Sequence, residues 1–295
     1  MRHRRFDLGR DQEPLQVRAS GQGKGERSTG IFDKDTQGPV TRDRIVESIV
    51  RALEPQPFVY ALWEGGALAF GRLDEWSDID ICASAEDDRI LECFPVVERA
   101  LEEVAPIKLK HEMKQTLSPG YVQAFYRLEG TPDCMLVDLA IFKATWPDKL
   151  LEPEIHGTAK FHFNKDDRVK IPHVDPHKLS GDLRNAVTHA RMRFEIFSCF
   201  VPKELSRGNL IEAVTLYHRV VLDSLVDVLR IKHKPVRFDF KTRYIHYDLP
   251  RDVTEKLQDL YMVRDREDLE KKYPQAKQWF LATLNELEHP PLMNI

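Results

Sequence analysis

Residues 58–82, FVYALWEGGALAFGRLDEWSDIDIC, constrain this chain more than any other stretch. An apolar run, Phe58 to Leu62, leads into Gly65-Gly66, and a small-residue turn or short helix follows through Arg72. Ser77-Asp78-Ile79-Asp80-Ile81 then alternates acid with β-branched residue. Side chains two apart on a strand share a face, so Asp78 and Asp80 are predicted to point together while Ile79 and Ile81 enter a core. Two carboxylates side by side repel, and a protein rarely holds them so unless a cation sits between them. Hard divalent ions such as Mg²⁺ take oxygen ligands and usually arrive with a nucleotide's phosphates. A glycine turn ahead of the pair lets backbone N–H groups approach those phosphates with no Cβ in the way.

The flanking sequence supplies a fold around this stretch. Residues 1–39 are polar and glycine-rich, and read as a disordered arm. Thr41 is a candidate N-cap for a helix carrying Ile45, Val46, Ile49 and Ala52 at helical spacing to Leu53. Glu86-Asp87-Asp88 opens a second amphipathic helix to Val104, with Leu91, Phe94, Val97, Leu101 and Val104 as its buried face. Ile107–His111, Tyr121–Leu128 and Cys134–Phe142 read as strands, the last two joined by a turn at 129–133. This order gives a small mixed β-sheet with helices against it, an α+β core. In the final strand, MLVDLAIF, Asp138 is a single acid in an apolar run. Burial of a lone carboxylate is costly, so Asp138 is either a hydrogen-bonded strand-end acid or a cation ligand; Asp133, in the turn, is the weaker candidate.

Residues 146–178 are irregular, with Pro147, Pro153, Pro172 and Pro176, and read as a connecting segment containing a short strand at 161–163. His156, His162 and His173 receive no chemical role. Beyond Leu179 the pattern is helical. Leu183, Val187, Ala190, Phe194, Phe197 and Val201 form one stripe, and Leu210, Val214, Tyr217, Val221, Leu225 and Val228 a second. Pro250-Arg251-Asp252 is predicted to open a third helix, and Pro274 a fourth with Trp279, Phe280 and Leu284 inward. The organisation expected is an arm at 1–39, a catalytic α+β domain at 40–145, a connection at 146–178 and an all-α helical bundle at 179–295.

Composition narrows the function classes. The 295 residues carry a net charge of −4, which argues against a dedicated nucleic-acid binder. Cys82, Cys93, Cys134 and Cys199 are scattered and form no CxxC pair, as expected of thiols in a reducing compartment. No apolar run approaches the roughly 18 residues of a bilayer span, and Arg2, Arg4 and Arg5 are followed by no apolar signal region. A cytoplasmic protein with no membrane partner is expected.

The glycine turn and the GRLDEWSDID tail resemble the nucleotidyltransferase superfamily, with its DNA polymerase β-like fold. That signature is Gly-Ser, about ten residues, then Asp-x-Asp, with a third carboxylate on a later strand; here Gly66-Ala67, Ser77-Asp78-Ile79-Asp80 and Asp138 match in order. Ala67 stands where the family has serine. The two-domain plan is similar to that of bacterial antibiotic nucleotidyltransferases of the kanamycin and lincosamide types. The resemblance implies transfer of a nucleoside monophosphate, AMP in the first instance, from an NTP to a hydroxyl of a small-molecule acceptor. It further implies two Mg²⁺ ions on Asp78, Asp80 and Asp138, with Asp138 alternatively deprotonating the acceptor. Gly66, Ala67, Arg72 and Ser77 would contact the nucleotide, Lys241 and Arg243 could reach the triphosphate, and Glu212 would lie on the acceptor side. A homodimer is among what it implies. The alternatives are a catalytically weakened nucleotide-binding regulatory module, which Ala67 favours, a transferase acting on protein, and a nucleic-acid polymerase, which the acidic balance disfavours.

Overall fold

The computed structural model describes residues 40–113 and 120–288, so the predicted arm lies outside the described residues. Two compact units meet in the chain at Pro172–His173.

The first unit begins with α1 (Arg42–Leu53), where Thr41 Oγ1 accepts the Arg44 N–H at 3.3 Å. There follow β1 (Val59–Glu64), the one-turn α2 (Gly66–Ala69), β2 (Ile79–Ala85), α3 (Cys93–Val104), β3 (Ile107–Glu112), β4 (Tyr121–Leu128), β5 (Val137–Lys143), α4 (Pro153–His156) and β6 (Lys160–Asn164). The strands form one mixed sheet in the order β3-β4-β5-β2-β1-β6. Among the described residues only β2 and β5 are parallel; the other pairings are antiparallel. Ile45, Ile49 and Leu53 of α1 and Val97 and Leu101 of α3 cover one sheet face, packing with Ile79, Ile81, Leu139 and Ile141. On the other face Trp63 and Phe142 stack at 5.9 Å and are covered by Leu151 and Val169.

Three sequence expectations change here. Leu91 is 51% exposed, because a 3-10 turn at Ile90–Glu92 precedes α3 and rotates it off the buried stripe. The segment from 146 is more than a connection: β6 pairs with β1, and residues to Pro172 belong to the first unit. Its isolated apolar residues become a layer only when laid against Trp63 and Phe142. The strand expected over Ser77–Ile81 starts at Ile79.

The second unit is all helical: α5 (Pro176–Phe197), α6 (Phe200–Ser206), α7 (Leu210–Leu216), a π-helical turn (Tyr217–Leu222), α8 (Asp223–His233), α9 (Ile245–Asp248), α10 (Arg251–Tyr261) and α11 (Arg266–Glu288). Phe197 and Leu210, expected in the stripes, are 41% and 37% exposed, since each sits at a helix end where the stripe runs out. Pro274 lies inside α11 rather than at its start, and Leu269, Ala276 and Phe280 keep one buried stripe on both sides of it. The π turn brings consecutive residues onto the end of α10: the Tyr217 hydroxyl donates to Leu260 O at 3.2 Å, and His218 Nε2 to Tyr261 O at 3.0 Å. Carbonyls at a helix C-terminus lack intrahelical donors, and these side chains supply them. Among the described residues no helix is long and apolar enough to cross a membrane.

Arg230 is fully buried and pins the 234–248 connection. It pairs with Asp248 at 3.0 Å and donates to the carbonyls of Lys241 and Arg243, while Arg237 pairs with the other Asp248 oxygen at 2.7 Å. Lys241 and Tyr244 hold left-handed backbone, at φ 53° and 58°, within this clamp. Removing one partner of a buried pair leaves uncompensated charge and costs about 3–5 kcal/mol. Asp248→Ala is therefore expected to unfold the helical unit at clearly lower urea concentration. An unchanged midpoint in circular dichroism would show that the clamp bears no stability.

Candidate active site

The site is built where β1 ends and β2 and β5 begin. The parallel register sets Asp80 opposite Asp138, and adjacent strands lie about 4.8 Å apart. Asp78 precedes β2 by one residue, and its charge is close enough to act on Asp138. Gly65 N–H donates to Asp80 O at 3.1 Å, so the glycine turn is stitched to the acid strand. Gly66 has φ +54°, and a Cβ there would overlap the Asp80 carboxylate. Only glycine satisfies both demands. The Arg72 N–H closes the turn on Ala67 O at 2.9 Å, and Thr158 N–H donates to Ala69 O at 2.8 Å, tying the segment before β6 to the turn.

Burial pushes the Asp138 carboxyl up to about 6; the Gln123 Nε2 hydrogen bond to its Oδ1, at 2.6 Å, pulls the other way, and the Asp78 charge adds to the rise. Cys82, two residues beyond Asp80 on the same face, has its thiol pushed far up by burial and by the carboxylates of Asp138 and Asp80. The cluster thus concentrates negative charge in a poorly solvated place. Among the described residues no group of three or more His, Cys, Asp or Glu side chains is close enough to hold a metal by itself. The carboxylates of Asp78 and of Asp80, the latter packed under the glycine turn, fit a divalent ion that brings its remaining oxygen ligands on a nucleotide, as Mg²⁺ does. They do not make a complete protein cage.

The other expected contacts divide. The Ser77 hydroxyl donates to Asp74 Oδ1 at 2.7 Å and accepts the Asp74 N–H at 3.0 Å, fixing the turn before Asp78. The Arg72 guanidinium lies 5.2 Å over the Phe70 ring. Glu212 is exposed in the first turn of α7, Lys241 pairs with Asp227, and Arg243 lies 4.5 Å over Phe240, all three in the helical unit.

Sequence reasoning missed Gln123 and Glu64. Gln123 sits on the alternate face of YVQAFYRL, and that alternation was its only signal. Glu64, which ends an apolar run, is fully buried. Burial alone would raise it, but Arg42 at 2.6 Å and His162 at 2.7 Å hold its carboxyl below the usual range. These partners join α1, β1 and β6 immediately before the glycine turn. The role left open for His162 is therefore structural.

No family model matches the chain, and no curated protein matches it. Solved structures do. It is similar to a nucleotidyltransferase-like protein from Exiguobacterium sibiricum, at 10% identity and TM-score 0.38, over 82% of this chain and 75% of that one. It is also similar to a STING-associated CdnE c-di-GMP synthase from Capnocytophaga granulosa, at 12% identity and TM-score 0.29, over 83% and 81% of the two chains. With TM-scores below 0.5, the functional reading rests on this chain's own residues.

A raised carboxyl makes the folded protein hold its proton after the unfolded chain has released it. Stability is then full below about pH 4 and falls as pH rises to about 6, by on the order of 1–3 kcal/mol. Asp138→Asn removes that loss. Thermal unfolding without metal is expected to show the variant more stable than wild type at pH 7.5, with the gain gone below about pH 4; a destabilised variant at pH 7.5 would refute the assigned charge strain.

Proposed function

We propose that this chain transfers a nucleoside monophosphate from an NTP to a hydroxyl of a small-molecule acceptor, releasing pyrophosphate. The observation that supports it most is Asp80 opposite Asp138 on parallel strands, with Gly66 packed against the Asp80 carboxylate. Asp78 and Asp80 are the residues that would hold Mg²⁺, which leaves Asp138 to act on the acceptor. When bound, a pair of such ions would neutralise phosphate charge and stabilise the attacking and leaving oxygens. The first N–H groups of a helix have no intrahelical partner, so Gly66 and Ala67 at the start of α2 can donate to phosphate oxygens.

The acceptor oxygen forms a bond to the α-phosphorus as the bond to the β-bridging oxygen breaks, and the electron pair leaves with pyrophosphate. Asp138 takes the acceptor's proton. Its buried carboxyl, raised above the usual carboxylate range, suits a proton acceptor. Gln123 engages Oδ1, so Oδ2 receives the proton. Gln123 is thus a positioning residue. The missing hydroxyl at Ala67 removes about one hydrogen bond to a charged phosphate, roughly 1.5–3 kcal/mol, which slows the reaction without stopping it. Ala67 also supports a second reading, a nucleotide-binding module without turnover.

Incubation with Mg²⁺ and α-labelled NTPs over a panel of hydroxylated acceptors separates the two. Transfer of label is expected, lost by more than about a hundredfold in Asp80→Asn and raised in Ala67→Ser. Tight NTP binding with no transfer across the panel, in wild type and Ala67→Ser alike, would favour the module and end the transferase reading.

A further inference from the structure

Cross-strand partners share a sheet face, and the register runs in one row from Asp80 to Asp138, from Asp138 to Phe125 and from Phe125 to His111. On the other side of Asp80 the row meets Gly65 and the glycine turn. Phe125 therefore stands one strand beyond Asp138, and His111 two. Their rings are stacked, with centroids 6.4 Å apart and planes at 28°. Leu109, two residues before His111 and opposite Arg127, extends the same surface and is 47% exposed. The intervening Lys110 and Tyr126 point to the helix-covered face, where both reach Glu98 of α3, at 2.5 and 3.1 Å. The His111–Phe125 pair thus belongs to the face that carries the acids.

We propose that Phe125 and His111 form a stacking platform for a planar ring on the acceptor, selecting acceptors in which such a ring lies near the reacting hydroxyl. The inference rests on the transferase reading above. Its physical basis is the order of the row. Phosphates take the glycine side of Asp80, and Asp138 lies between that side and the rings. An in-line nucleophile enters opposite the leaving pyrophosphate, which places the acceptor over β4 and β3. Both rings stand on strands of one sheet, so a flat partner finds them already ordered, and little entropy is lost on stacking. The Arg127 guanidinium, paired with Asp133, adds a cation at the rim.

The experiment has a binding arm and a transfer arm, both on the full chain. Saturation-transfer NMR without Mg²⁺ or NTP would use adenosine, phenyl β-D-glucoside and methyl β-D-glucoside as probes. The two ring-bearing probes are expected to bind through their ring protons, about tenfold more weakly to Phe125→Leu, more weakly to His111→Ala, and near wild-type strength to Phe125→Tyr. The methyl glucoside is expected not to bind. Binding of adenosine alone would support the platform and narrow it to nucleosides; binding of the phenyl glucoside alone would narrow it to aryl glycosides. His111 is exposed on an edge strand, so His111→Ala tests the platform where Phe125→Leu fails to fold. Equal binding to all variants, or no binding of either ring probe, overturns it. In the transfer arm, Phe125→Leu is expected to raise KM for ring-bearing acceptors with kcat nearly unchanged. A raised KM for NTP alone would assign the rings to the donor base and overturn the proposal. Ring binding lost in the variants, with no transfer by wild type, would keep the platform and sink the transferase reading.

Discussion

Asp80 and Asp138 face each other across a parallel strand pair, about one strand spacing apart, and burial beside the Asp78 charge makes the Asp138 carboxylate costly to hold. Neighbouring groups are arranged around these two acids. Gln123 donates to one Asp138 oxygen, and burial keeps the same carboxyl up at about 6. Gly66 gives up its Cβ so that the Asp80 carboxylate fits beneath the turn. The turn in turn is fastened by Gly65 N–H to Asp80 O and by Thr158 N–H to Ala69 O. On the proposed reading, a site that holds costly negative charge would gain most from a cation and phosphates, which is the energetic form of preorganisation.

Stability is drawn from elsewhere. Behind the turn, buried Glu64 binds Arg42 and His162 and so fixes α1, β1 and β6 to one another. In the helical unit, Arg230 and Arg237 converge on Asp248, and the π turn seats Tyr217 and His218 on the carbonyls ending α10. Each device meets a polar group that would otherwise be buried without a partner.

Local signals in the sequence carried the fold a long way. Thr41 capped the expected helix, the alternation of Tyr121–Leu128 matched a strand end to end, and the apolar stripes of the C-terminal half became helix faces. Asp138 was legible because a lone acid in MLVDLAIF demands an explanation, and the structure sets it opposite Asp80. What the sequence could not show was register. Gln123 meets Asp138 from a strand fifteen residues away, Phe125 lines up with Asp138 only once the sheet is paired, and β6 joins β1 across almost a hundred residues. Leu91 and Pro274 misled for a local reason: a 3-10 turn changes the helical phase, and a buried stripe can carry a helix through a proline.

The central claim is that this cluster is completed by a metal and a nucleotide together, because its carboxylates alone do not form a cage. Electron paramagnetic resonance titration of Mn²⁺, with and without a non-hydrolysable NTP, tests it directly. The ion is expected to bind weakly by itself and at least about tenfold more tightly with the nucleotide, the enhancement vanishing in Asp80→Asn. Equal Mn²⁺ affinity with and without nucleotide, or an enhancement that survives Asp80→Asn, would contradict it.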